Sequence, residues 1–142
     1  MSALIDTNIL LRRAQHGHSS HALAAASVAK LLATGEPLYV TLQNISEFWN
    51  VATRPQTDNG LGFSVAVTLE LLEKIERIFT LLPDSPAVYK EWRHLVVRHG
   101  VLESKVHDAK LVAIMNVHGV RRILTFNIGD FERFQVEAIH PA

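Results

Sequence analysis

The residues of this sequence best suited to chemistry are acids that follow short apolar runs. Asp6 comes directly after Ala3-Leu4-Ile5, and Asn127 and Asp130 come after Ile123-Leu124-Thr125-Phe126. Such runs read as buried strands, and in open α/β sheets reactive groups collect just beyond the carboxyl ends of the strands. Asp108 stands out for another reason. Leu111, Val112 and Met115 lie three, four and seven residues further on, so the acid begins the apolar stripe of its helix and faces inward. A carboxylate buried alone is costly, so Asp108 needs a cation, a hydrogen-bond network or a helix N-terminus. Glu47 reads differently. Its helical neighbours Asn44, Asn50, Val51 and Arg54 form a mostly polar face opposite Ile45, Phe48, Trp49 and Ala52, which places it on solvated surface by periodicity.

Each acid also has a purely structural reading. Asp6 and Asp108 suit helix N-caps, and Asp130 in Ile128-Gly129-Asp130-Phe131 suits a turn. Taken together, several carboxylates at one sheet edge, with no thiol in the chain, suit hard divalent cations such as Mg²⁺ or Mn²⁺. Such ions activate water and stabilise the departing oxyanion in phosphodiester cleavage. Crowded like charges raise carboxylate pKa values, so metal affinity is expected to fall in acid.

These acids need a scaffold of alternating strands and helices. Leu38-Tyr39-Val40-Thr41 reads as a second strand, Phe79 to Leu82 as a third, Ile123 to Phe126 as a fourth, and Val136 to Ile139 as a last strand at an edge. Between them, Ser19 or Ser20 caps a helix carrying Leu23, Val28, Leu31 and Leu32 that ends at Gly35. A helix from about Leu42 to Thr53 stops at Pro55, and Pro55 to Gly62 is the longest loop. Ser64 caps a helix through Val65, Leu69, Leu72, Ile75 and Phe79. Ser85-Pro86 opens another that ends at Gly100, and a last one runs from about His107 to His118 before Gly119. This order predicts a parallel α/β sheet covered on both faces.

The chain has 142 residues, 48% hydrophobic and 20% charged, which suits one domain spanning 1–142. Fourteen Lys and Arg balance fourteen Asp and Glu, so recognition by charge rests on local clusters rather than a global field. The cysteine count of zero excludes a disulfide framework, a thiolate nucleophile and a sulfur zinc site, which fits a reducing cytoplasm. Met1 to Ile5 is too short an apolar run for a signal-peptide core, and there is no uncharged apolar stretch of about 18 residues, so membrane spanning is not expected.

The run Leu4-Ile5-Asp6-Thr7-Asn8, the segment Asn44-Ile45-Ser46-Glu47-Phe48, the trio His107-Asp108-Ala109 and the string Leu124 to Phe131 resemble, in order and spacing, the four motifs of PIN-domain ribonucleases. More narrowly, the chain resembles the VapC-type toxins of toxin–antitoxin pairs. The resemblance implies a PIN-like three-layer sandwich with a central, mostly parallel sheet, and a Mg²⁺- or Mn²⁺-dependent endoribonuclease. It implies Asp6, Glu47 and Asp108 as catalytic and metal-holding acids, and so overturns the surface reading of Glu47. The fourth motif departs from the commonest pattern, with Asn127 at an often acidic position; Asp130 then supplies or supports the fourth charge. Thr7 and Thr125 are expected to hydrogen-bond the carboxylates. An RNA substrate, a separately encoded antitoxin and a homodimer are the implied partners. The competing readings are a catalytically impaired PIN-fold module that binds RNA or protein, and phosphoryl transfer on Asp6. The second lacks the phosphatase pattern's second acid, since Asp6-Thr7-Asn8 supplies only one.

Other polar residues read as ordinary structure first. Arg12-Arg13 and Arg121-Arg122 suit solvated charge, while Lys105 and Lys110 bracket Asp108 and are the better candidates for phosphate. His16, His18 and His21 have metal-like spacing but no matching acid. Trp49 and Trp92 sit at helical spacing among apolar residues, which suits a core or a subunit interface.

Overall fold

The alternation within the first strand sets the architecture. In the computed structural model, which describes residues 2–142, β1 (Ala3–Ile5) has no exposed residue. Successive side chains of a strand point to opposite faces, so Ala3 and Ile5 enter one hydrophobic cluster and Leu4 enters the other. A strand buried on both faces belongs at the centre of a covered parallel sheet. β1 lies there, paired in parallel with β2 (Leu38–Thr41) and β4 (Arg122–Leu124). β3 (Thr80–Leu82) extends the sheet beside β2, and β5 (Glu137–Ile139) beside β4, giving the all-parallel order β3-β2-β1-β4-β5. The α/β sandwich expected from the sequence is the fold observed.

Four helices contribute to the first cluster: α1 (Thr7–Ala14), α2 (His21–Leu32), α3 (Leu42–Thr53) and α4 (Val65–Ile78), through Ile9, Val28, Phe48 and Ile75 among others. The opposite face is covered by α5 (Pro86–Arg98) and α6 (Lys105–His118), through Val88, Leu95, Leu111 and Met115. Ala109 and every residue from Leu111 to Met115 are buried, so α6 is apolar on more than one side, as befits a helix packed against both the sheet and α5. Each fully buried large apolar side chain contributes about 1.5–3 kcal/mol relative to exposure.

Local signals hold most of these elements where the sequence puts them. Ser64 and Ser85 accept from the backbone N–H groups of Val67 and Val88, and Pro86 occupies the first turn of α5. Gly119 ends α6 in the left-handed conformation, with φ at 70°, where a residue without Cβ carries no steric penalty. Several boundaries differ from expectation. α6 begins at Lys105, two residues earlier than His107, with Ser104 at its N-cap position; Asp108 therefore lies inside the first turn and is not a cap. Phe79 closes α4 rather than opening β3. β4 runs from Arg122 to Leu124, two residues short of Phe126, although the Thr125 N–H still reaches the Ile139 carbonyl at 3.0 Å.

From β1 the chain builds outward through β2 and β3, then returns to place β4 on the other side of β1. The boundary between β1 and β4 is thus the topological switch point, the place where an open parallel sheet forms a crevice beyond its carboxyl ends. No helix among the described residues is long and apolar enough to cross a membrane.

Candidate active site at the carboxyl edge of the sheet

Asp6 leaves β1 at that switch point in extended conformation, and its backbone N–H continues the ladder to the Leu124 carbonyl at 3.0 Å. The side chain caps α1: Oδ1 accepts from the Thr7 N–H at 2.8 Å. Oδ2 faces the other way and accepts from the Thr125 hydroxyl at 2.8 Å, and more weakly from Asn8 Nδ2 at 3.4 Å. One carboxylate oxygen of Asp6 thus meets the capping reading while the other faces the end of β4. Asn8 adds a bridge to the other strand end, since its Oδ1 accepts from the Phe126 N–H at 3.3 Å and its Nδ2 donates to Thr125 Oγ1 at 3.3 Å.

Glu47 comes into the same group from α3. It is half-buried, and its Oε2 accepts from the Thr7 hydroxyl at 2.9 Å, which corrects the solvated position read from helical periodicity. Periodicity failed there because the first half of the polar face of α3 packs against the start of α1: Asn44, on that face, has no exposed surface and meets Thr7. The start of α3 is also tied to α6, with Gln43 Nε2 donating to the His107 carbonyl at 3.0 Å. That link sets the first turn of α6, with Asp108, beside the helix of Glu47.

The electrostatics show how closely the acids are grouped. Burial, with the charges of Asp130, Asp6 and Glu47, raises the Asp108 pKa from 3.8 to about 6, while Lys105 opposes the rise. Burial also raises the pKa of Asp6, against the hydrogen bonds from Thr125 and the Thr7 N–H; the charges of Glu47 and Asp130 add to the rise. Asp130 lies in the single 3₁₀ turn Ile128–Phe131 after β4, and its Oδ1 receives Lys105 Nζ at 2.7 Å. Asn127 is exposed, and its backbone N–H donates to Thr125 Oγ1 at 3.0 Å.

Thus the four acids are close enough for the charges of Glu47 and Asp130 to add to the raised pKa values of Asp6 and Asp108, and Thr7 and Thr125 each donate to one of the acids as expected. Among the described residues, however, no three His, Asp or Glu side chains stand together as a ready-made ligand set for an ion. The donors are all oxygen and the accumulated charge is negative. That combination fits a hard divalent cation that keeps several of its waters better than a fully dehydrated one.

The remaining candidates lie elsewhere or have other partners. Lys110 pairs with Asp84 at 3.0 Å. His16 and His21 stack with ring centroids 4.5 Å apart, but His21 Nδ1 is engaged by the Arg12 carbonyl and His18 Nδ1 by the Ser20 N–H. Trp92 is half-buried, with its indole N–H donating to the Val106 carbonyl at 2.9 Å. Sequence reasoning missed Asn44 and Gln43; the capping-box spacing from Thr41 to Asn44 was the available signal for the first.

The PIN domain family model matches residues 3–137. No curated protein is similar in sequence. Several solved structures share the fold, among them the following three. VapBC2 from Rickettsia felis, bound to a promoter DNA fragment, superposes with a TM-score of 0.70 at 14% identity over 99% of this chain and 98% of that one. VapBC-1 from nontypeable Haemophilus influenzae gives 0.71 at 12% identity over 99% and 98%. Mycobacterium tuberculosis VapC20, described as a sarcin–ricin loop cleaving toxin, gives 0.66 at 15% identity over 95% and 97%. With its switch-point acids and a family match running from β1 into β5, the chain belongs to the PIN domain family.

Proposed function

We propose that this chain is a metal-dependent endoribonuclease that hydrolyses RNA phosphodiester bonds, acting as the toxin of a toxin–antitoxin pair in the cytoplasm, with residues 1–142 as one PIN unit. The observation that carries the reading is the grouping of Asp6, Glu47, Asp108 and Asp130 at the switch point, where Asp6 after β1 and Asp108 in α6 are raised in pKa by burial first and by their acidic neighbours in addition. Such negative charge, offset only in part by Lys105, suits a cation and a phosphodiester held by it. The structural likeness to VapBC complexes supports a separately encoded antitoxin, and a homodimer follows from the family resemblance alone.

Asp6 and Asp108 would hold the ion, Mg²⁺ or Mn²⁺, directly or through waters. When bound, it supplies charge that polarises the scissile phosphate and favours a nucleophilic water. The chain's own residues do the rest. Thr125 and the Thr7 N–H fix Asp6 from two sides, so its carboxylate cannot rotate away. Glu47 is held through Oε2 by Thr7, while no group among the described residues donates to its Oε1; that oxygen takes the proton of the attacking water. Asp130 adds negative potential and is itself steadied by Lys105.

The competing reading, a PIN fold that binds RNA or protein without cutting, draws on Asn127 and on the absence of three converging ligands among the described residues. One experiment separates them. Purified protein, free of inhibitor, is incubated with cellular RNA plus Mg²⁺ or Mn²⁺, beside EDTA and an Asp6→Asn, Asp108→Asn double variant. Metal-dependent cutting lost in the variant supports the nuclease, and intact RNA with folded protein supports the binding module.

A further inference from the structure

Asn44 has no exposed surface, yet it does more than begin its helix. Its Oδ1 accepts from both the backbone N–H and the hydroxyl of Thr41, each at 2.9 Å, and its own N–H donates back to Thr41 Oγ1 at 3.1 Å. That reciprocal box satisfies the start of α3 and uses only the oxygen end of the amide. The amide orientation is thereby decided, because an amide nitrogen cannot accept from two donors. Nδ2 is left facing Thr7 Oγ1 at 3.2 Å.

The consequence passes to Thr7, which is also buried. A hydroxyl carries one proton. With Asn44 donating to Thr7 Oγ1, that proton is directed to Glu47 Oε2, 2.9 Å away. The order of donation runs one way, from Asn44 through Thr7 to Glu47. The Thr7 backbone N–H meanwhile holds Asp6. We propose that Asn44 is a positioning residue for Glu47: its Nδ2 fixes the Thr7 hydroxyl so that Oε2 is held and Oε1 is left for the water. The proposal rests on the nuclease reading above.

The test compares Asn44→Ala, Thr7→Val and the double variant in steady-state cleavage of a single-stranded RNA. Each single variant is expected to lower kcat roughly 10–100-fold with KM within about twofold, and the double variant to cut no more slowly than Thr7→Val alone. Thr7→Ser, which keeps the hydroxyl, restores kcat. Thr68→Val is the structural control: it removes another buried hydroxyl, bonded to the Ser64 carbonyl at 2.7 Å in α4, and should lower the melting temperature while kcat holds. If Asn44→Ala does not fold, Asn44→Ser takes its place, retaining a short polar side chain that cannot reach Thr7. Independently of cleavage, the carboxyl ¹³C resonance of Glu47 should move in both the Asn44 and Thr7 variants. Unchanged kcat, losses that multiply in the double variant, or an unmoved Glu47 resonance would overturn the proposal. Wild-type protein that leaves RNA intact overturns the nuclease reading instead, and the Glu47 resonance then decides the positioning alone.

Discussion

Lys105 Nζ sits 2.7 Å from Asp130 Oδ1, joining the first turn of α6 to the turn that follows β4. Through this pair a cation stands beside the acidic group, and its charge is the influence that opposes the rise in the Asp108 pKa. Lys105→Gln should therefore move the Asp108 pKa higher still, and with it the midpoint of the cleavage rate against pH. The pair is exposed, so folding stability should change little. Rates measured from about pH 5 to 9 check this; a midpoint that stays in place sinks it.

Asp108 itself links pH to stability. Its pKa is 3.8 in an unfolded chain and about 6 in the folded one. Folding thus favours the protonated form: the group costs nothing below the lower value, and the penalty grows as pH rises through the window to about 6. Asp108→Asn should stabilise the protein at about pH 7.5 by about 1 kcal/mol, reduced from about 3 because the site is partly exposed. The gain should shrink towards pH 4. Urea denaturation at both pH values tests the sign, and a variant less stable at neutral pH would show that the carboxylate is a net structural asset. Cleavage should be lost at either pH.

Gly60 is required by a close approach rather than by its backbone angles. A Cβ there would stand 2.0 Å from the Arg54 carbonyl oxygen. The loop closes onto the end of α3 through Leu61 N–H to Val51 O, Gly62 N–H to Arg54 O and Phe63 N–H to Ala52 O, so the carbonyl cannot easily move. Gly60→Ala should cost about 3 kcal/mol, the upper end of overpacking, while Gly17→Ala, with nothing within 4 Å, should be near neutral. Thermal melts of the two variants decide it.

What the sequence revealed and concealed follows from range. Strands with both faces buried, caps such as Ser64 and Ser85, and the stop at Gly119 are local, and they fall where their residue types place them. Asp6 and Asp108 were legible because a carboxylate next to apolar residues is anomalous in one dimension. Glu47 was not, since the surface that covers it comes from the start of α1, forty residues earlier in the chain. Periodicity describes one helix at a time and cannot see a polar face turned inward by another element. The resemblance to PIN motifs supplied that information. Asn44 stands in the second motif, but neither route gave it a role, since that role exists only because Thr7 arrives opposite it.

Thr125 joins the ends of β4 and β1 with one buried hydroxyl. Its Oγ1 donates to Asp6 Oδ2 at 2.8 Å and accepts from the Asn127 N–H at 3.0 Å and Asn8 Nδ2 at 3.3 Å. Valine has nearly the same shape and no hydroxyl, so Thr125→Val removes these bonds with little change in packing. A hydrogen bond to a charged group is worth roughly 1.5–3 kcal/mol, which sets the expected loss of stability. The Thr125 hydroxyl is also the main influence holding the Asp6 pKa down against burial. Its loss should raise the Asp6 pKa further, lowering cleavage roughly 10–100-fold and weakening Mn²⁺ binding. Thr125→Ser should recover most of both. Calorimetric titration with Mn²⁺ at about pH 6 and 8 separates the causes: a deficit that narrows at the higher pH reflects protonation of Asp6, whereas an equal deficit at both would mean that the carboxylate has swung out of place.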